Sequence, residues 1–201
     1  GDTLVVIDAG LMFPEAYMLG VDYVIPDMDY LRQNRSRLSG VILTHAHEDH
    51  IGALPFLLKE INVPIFGTPF TLGIVRNKLE EHDLLASASL HEVLPREQLK
   101  IGPFEVEFIR VNHSIVDGVG LAVRTPVGMV VHTGDFKMSH TTMEGMLTDV
   151  NRFAQIGEEG VLALLSDSTN VEKEGHTISS QEIGDELARI IESASGRIIV
   201  A

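Results

Sequence analysis

An apolar run, Val41-Ile42-Leu43, ends in Thr44-His45-Ala46-His47-Glu48-Asp49-His50 and continues into the helix-like segment Ile51 to Ile61. This stretch restricts the chain's architecture more than any other. Three imidazoles and two carboxylates crowd the six residues from His45 to His50. Such a group is costly to gather unless a cation neutralises the acid and uses the nitrogen lone pairs, and both side-chain types are zinc ligands. A buried, parallel-type strand ending in a tight loop puts His45 and His47 at the carboxyl edge of a sheet, where open α/β sheets place their chemistry. Asp49 and His50 then fall on the loop or the first helical turn, close to a second position, so one loop can serve two metals. The spacing is not the zincin H-E-x-x-H, because His47 and His50 are one residue too close to share a helical face.

The pattern is instead H-x-H-x-D-H, which resembles the metallo-β-lactamase superfamily. Two further strand ends match it. Phe104 to Val111 ends in Asn112-His113-Ser114, and Met129 to His132 ends in Thr133-Gly134-Asp135, so each strand delivers a ligand-type residue to one sheet edge. Leu4 to Asp8 is an apolar strand ending in a carboxylate, with Gly10 free to adopt positive φ. His132 lies inside the strand register, which favours a structural role or one behind the ligands over ligation.

The remaining elements follow from periodicity. Gly52 to Ile61 and Pro69 to Leu85 read as helices, the second with Leu72, Val75, Leu79 and His82 on one face. Leu11 to Asp27 lacks periodicity and reads as a covering loop. Short strands are expected at Pro64–Gly67, Glu92–Leu94, Leu99–Ile101, Phe104–Val111, Val119–Arg124 and Gly128–His132, and this density suggests two facing sheets. Asp149 to Ile156 reads as a helix and Val161 to Leu165 as a buried strand ending in Ser166-Asp167-Ser168-Thr169-Asn170. Ser179 to Ser193 is a helix with Ser179 or Ser180 as cap and Ile183, Leu187, Ile190 and Ile191 as apolar stripe, followed by a strand over Gly196–Ala201.

Composition narrows the chemistry. With 201 residues, 44% of them hydrophobic, the chain can bury one α/β core, or one domain and part of another. It has no Cys, so a metal must be held by imidazoles and carboxylates, which is compatible with a reducing cytoplasm. No apolar run approaches the roughly 20 residues that span a bilayer, so a soluble, cytoplasmic protein without membrane contact is expected. A net charge of −14 argues against broad non-specific attraction to nucleic acid.

Within the superfamily, Asp8-Ala9-Gly10-Leu11-Met12-Phe13-Pro14-Glu15 and Asp167-Ser168-Thr169-Asn170 resemble the RNase J family of β-CASP ribonucleases. That resemblance extends from Leu4 to Ala201. It implies a four-layer αββα metallo-β-lactamase domain over residues 1–177 and the opening of a β-CASP domain over residues 178–201. An initial strand before Gly1, a late His and the rest of the β-CASP domain after Ala201 are expected outside the sequence, so this chain alone should be weakly active or inactive. Ala46 stands where family members commonly have Gly.

By the same resemblance, two Zn2+ ions, with Mn2+ or Mg2+ as alternatives, are held by His45, His47, His113 and Asp135 at one position. Asp49, His50 and a shared Asp135 form the other. Asp49, His50 and Asp135 take the catalytic roles, while Asp8, Ser114, His132, Asp167 and Ser168 stand behind the ligands or near substrate. The implied activity is hydrolysis of RNA phosphodiester bonds, as a 5′-3′ exonuclease, an endonuclease or both, leaving a 5′-phosphate. A homo-dimer or tetramer and an RNA-degradation machinery are the implied partners. The metal motif alone also admits a thioester or lactone hydrolase, or a non-catalytic scaffold stabilised by metal.

Overall fold

The structure is a computed structural model that describes residues 2–138, 147–175 and 179–199. Its first half contains β1 (Leu4–Ile7), α1 (Asp29–Gln33), β2 (Leu38–Ile42), α2 (Glu48–Ile51), α3 (Leu54–Glu60), β3 (Ile65–Gly67), α4 (Pro69–Glu81) and β4 (Leu90–Glu92). These strands form a parallel sheet in chain order, β1-β2-β3-β4. Parallel crossovers are right-handed, and strands that always advance in one direction put their connecting helices on one face. Leu54, Leu57, Leu72, Val75 and Leu79 accordingly pack with Val41, Leu43 and Ile65.

The second half adds β5 (Gln98–Ile101), β6 (Phe104–Arg110), β7 (Val119–Thr125), β8 (Gly128–His132), α5 (Val150–Glu159), β9 (Ala163–Leu165) and α6 (Ser180–Ser193). Its sheet runs β5-β6-β7-β8-β9, antiparallel except that β9 lies parallel to β8. Period-two alternation divides the side chains between layers. Ile42, Val106, Phe108, Val119 and Leu121 join the two sheets, while Ile109, Ala122, Val131 and Ile156 join the second sheet to α5. Glu107 also faces α5, where its two carboxylate oxygens accept from Arg152 Nε and Nη2 at 2.7 Å each. The order is therefore helices, sheet, sheet, helix: the αββα sandwich expected.

Several local expectations are corrected. The helix expected over Gly52–Ile61 is shortened to α3, Leu54–Glu60, and stands apart from α2, because Ala53 N–H donates to Ala9 C=O at 2.8 Å instead of to the preceding turn and Pro55 has no N–H to give. The next helix ends at Glu81 instead of Leu85, since Asp83 turns to a φ of 58° and Leu85–Ser87 form a separate single turn. The fourth strand spans Leu90–Glu92 in place of Glu92–Leu94, drawn back by parallel pairing of Leu90 with Ile65. The strand expected to be buried over Val161–Leu165 is reduced to β9, with Leu164 64% exposed, because it is a sheet edge that no described element covers. Over Gly196–Ile199 no strand forms, as no described strand lies alongside to pair with it; Val200 and Ala201 fall outside the described residues. Helix α6 begins with a reciprocal capping box between Ser179 and Glu182, yet its stripe of Ile183, Leu187, Ile190 and Ile191 is exposed.

Candidate metal centre

The two sheets present their strand ends at a common edge. Asp8 follows β1, Thr44 to His50 follow β2, His113 follows β6, Asp135 follows β8 and Asp167 follows β9. Asp8 has a φ of 59°, a left-handed conformation that Asp tolerates better than most residues. The positive φ expected at Gly10 thus falls at Asp8. Gly10 is required for another reason: a Cβ there would lie 1.5 Å from the Asp49 carbonyl oxygen. This approach lets Ala9 N–H donate to His50 C=O at 2.7 Å and Leu11 N–H to Glu48 C=O at 3.1 Å, so the chain after β1 grips the motif helix.

Asp8 joins the motif to its strand. Its Oδ1 accepts from Thr44 N–H at 2.8 Å, and its Oδ2 accepts from Thr44 Oγ1–H and His50 Nδ1–H, each at 2.7 Å. These bonds set the tautomers. A carboxylate only accepts, so His50 carries its proton on Nδ1 and presents an Nε2 lone pair. Thr44 Oγ1 has donated its only proton to Asp8, so across 3.0 Å it accepts from His45 Nδ1–H, leaving His45 Nε2 as a lone pair. Sequence reading does not assign Thr44 this role; a hydroxyl ending an apolar strand just before the first His is the available signal.

The free nitrogens converge. His45 Nε2 lies 3.0 Å from His47 Nδ1, which lies 3.2 Å from His113 Nε2. Asp135 Oδ2 is 3.5 Å from His50 Nε2, 3.6 Å from His113 Nε2 and 3.9 Å from His45 Nε2. Zinc–nitrogen bonds of about 2.0–2.1 Å put tetrahedral ligand atoms roughly 3.3–3.4 Å apart, so these separations fit a cation between them. Two overlapping groups have the right proximity, His45, His47 and His113, and His45, His50 and Asp135. Asp49 is peripheral to both. Its side chain is 68% exposed and its Oδ2 is 3.8 Å from His50 Nε2.

Electrostatics act on the imidazoles in opposite directions. Burial, followed by the neighbouring His50, His113 and His47, pulls the His45 pKa down to about 2, so its imidazole stays neutral. Burial lowers His113 as well, against an opposing pull from Asp135. For His50 burial also works downward, but the Asp8 hydrogen bond and the charges of Asp8, Asp135 and Asp49 outweigh it and raise the pKa.

The supporting residues take distinct places. His132 Nδ1 accepts from Gly134 N–H at 3.0 Å, which shapes the turn presenting Asp135. Gly134 has a φ of 59° in that turn. Ser114 Oγ is 3.5 Å from His113 Nε2. Asp167 accepts from Thr169 N–H and Oγ1–H at 2.9 and 2.7 Å, and those bonds outweigh burial and hold its carboxyl below the usual range. A cleft of about 650 Å³ reaches Asp8, Asp49, His50 and Asp135 beneath Met12 and Ile25. Another of about 680 Å³ reaches His113, Ser114, Asp135, Asp167 and Ser168.

The family model described as Metallo-beta-lactamase superfamily matches residues 1–173. The chain belongs to the metallo-β-lactamase superfamily. Among curated superfamily proteins, Ribonuclease J of Helicobacter pylori is 44% identical over 98% of this chain and 29% of its own length. Ribonuclease J of Thermus thermophilus is 47% identical over 99% of this chain and 36% of its own length. The chain thus spans about a third of the curated relatives it matches. A solved Enterococcus faecalis protein of unknown function shares the fold with a TM-score of 0.66 at 17% identity, covering 96% of this chain and 52% of that one. Among the described residues no helix is long and apolar enough to cross a membrane.

Proposed function

We propose that this chain is the metal-binding part of a ribonuclease that hydrolyses RNA phosphodiester bonds and leaves a 5′-phosphate, acting from the 5′ end, internally or both. The observation that carries the proposal is the convergence of three imidazole nitrogens on Asp135 Oδ2, in a chain 44% and 47% identical to ribonucleases J. His45, His47, His113 and Asp135 would hold one divalent cation; Asp49, His50 and the shared Asp135 would hold a second, with zinc suited to the donors. Bound there, the cations would acidify water and offset charge building on phosphate.

The protein's own contribution is orientation. Asp8 keeps the His50 proton on Nδ1, away from the centre, and Thr44 does the same for His45. His132 holds the turn that aims Asp135. The two clefts meet at Asp135, so a chain entering one and leaving by the other would pass a phosphodiester over that carboxylate. The net charge of −14 gives the chain no long-range attraction for RNA, so recognition would rest on close contacts at the site.

Matched assays in a ribonuclease-J-length protein carrying this chain, using 5′-phosphorylated RNA, a thioester and a lactone with zinc, manganese or magnesium, test the proposal. RNA cleavage with a 5′-phosphate product is expected. Turnover of the thioester or lactone alone would assign another hydrolase, and metal binding with no turnover would assign a scaffold.

A further inference from the structure

We propose that Thr148 is a positioning residue that sets the separation between His113 and Asp135. Its hydroxyl accepts from Asn112 N–H at 2.9 Å and donates to Lys137 C=O at 3.3 Å. Lys137 N–H in turn donates to Asn112 C=O at 2.6 Å. Asn112, Lys137 and Thr148 thus form a closed ring of three hydrogen bonds. His113 directly follows Asn112 and Asp135 precedes Lys137 by two residues, so the ring grips both loops beside their ligand-type side chains. Across it, His113 Nε2 and Asp135 Oδ2 stand 3.6 Å apart.

The ring is itself anchored. Asp149 N–H donates to Arg110 C=O at 3.0 Å, at the end of β6. The Asp149 carboxylate accepts from Arg152 N–H at 3.1 Å, capping α5, and from Arg96 Nε at 2.7 Å. Thr148 is therefore held against both the second sheet and its covering helix before its hydroxyl reaches the two loops. Only a group that donates and accepts at once closes the ring, which a hydroxyl does and a methyl cannot. A displacement of about 0.5 Å between ligands is enough to spoil a metal site.

This inference rests on the metal-centre reading, and the test separates the two. Zinc and cobalt are titrated calorimetrically into the unsubstituted protein, Thr148→Val and Thr148→Ser, with the cobalt d–d absorption recorded for each. Thr148→Val should lose about 10- to 100-fold in metal affinity and shift the cobalt bands, the range for residues that orient ligands. Thr148→Ser should keep wild-type affinity and spectrum.

Wild-type binding by Thr148→Val, even with a lowered melting temperature, would overturn this inference alone and make the hydroxyl merely structural. Failure of the unsubstituted protein to bind either metal would overturn the metal reading and this inference with it. Should the valine variant not fold, hydrogen exchange in the unsubstituted protein decides: zinc should slow exchange at the Asn112 and Lys137 amides together, and unchanged rates at both would refute the proposal.

Discussion

Replacing Asp8 by Asn separates what its charge does from what its backbone does. Asn tolerates the left-handed φ of 59°, so the turn after β1 survives. Both carboxylate oxygens are in use, accepting from Thr44 N–H, Thr44 Oγ1–H and His50 Nδ1–H. The amide keeps one acceptor for Thr44 N–H. Its NH2 group then faces Thr44 Oγ1, which can turn to accept, and His50 Nδ1, which can accept only if the imidazole proton moves to Nε2. That proton would point at Asp135, 3.5 Å from His50 Nε2, where a lone pair now stands.

Most neutral hydrogen bonds are thus retained, and the fold should lose about 1–2 kcal/mol, since bonds to charged groups exceed neutral ones by that order. Metal binding should suffer more, falling about 10- to 100-fold, equivalent to about 1.4–2.7 kcal/mol. Calorimetric zinc titration beside thermal melts of the metal-free protein measures both quantities. Unchanged zinc affinity and stoichiometry in a folded Asp8→Asn protein would refute the argument that Asp8 sets the His50 tautomer.

Other substitutions probe separate links. Gly10→Ala puts a Cβ 1.5 Å from the Asp49 carbonyl oxygen, and because backbone cannot rotate aside the protein should lose at least about 3 kcal/mol, read from its urea midpoint. Arg152, through its hydrogen bonds, holds the Glu107 carboxyl below the usual range against the effect of burial. Since that folded pKa is depressed, the pair's stabilisation is present above the unfolded value of about 4.3 and is lost as pH falls through the folded value. Glu107→Gln should therefore cost about 3 kcal/mol at neutral pH and flatten the acid limb of a stability–pH curve; an unchanged limb would remove Glu107 from acid unfolding. His45→Ala or His47→Ala should lower bound metal by elemental analysis and reduce RNA cleavage by at least about 10²-fold in a ribonuclease-J-length protein, because losing a ligand exceeds the cost of losing its support.

The two facing sheets and the edge that carries the site were legible in local strand patterns, while the four-layer order came from the family resemblance. Apolar strands ending beside His45, His113 and Asp135 pointed those residues to one sheet edge, and the resemblance supplied their roles as ligands. What escaped depends on neighbours distant in the chain. Helix α1 has only five residues and is tied down by Arg32, whose guanidinium reaches both Asp29 and, 28 residues away, Glu60. The break between α2 and α3 is marked locally by Pro55, but the bond that draws Ala53 N–H out of the helix goes to Ala9 C=O, 44 residues earlier, which no helix pattern encodes. Val161 to Leu165 are apolar enough to look buried, but burial is a property of the covering layer. Thr148 had no signal at all, since its partners lie 36 and 11 residues away and each is a backbone group.

The donors are separated along the chain as widely as they are close in space: His50 meets Asp8 across 42 residues, and His113 meets His47 across 66. Each such closure costs entropy that an unfolded chain cannot recover locally. A cation held by the assembled cluster would therefore act as a latch on the docked pair of sheets, opposing their separation. Free metal at about a thousand times its dissociation constant would deepen the native well by about 4 kcal/mol. For a domain whose net stability is typically about 5–15 kcal/mol, such a cation would make up a large share of the resistance to proteolysis.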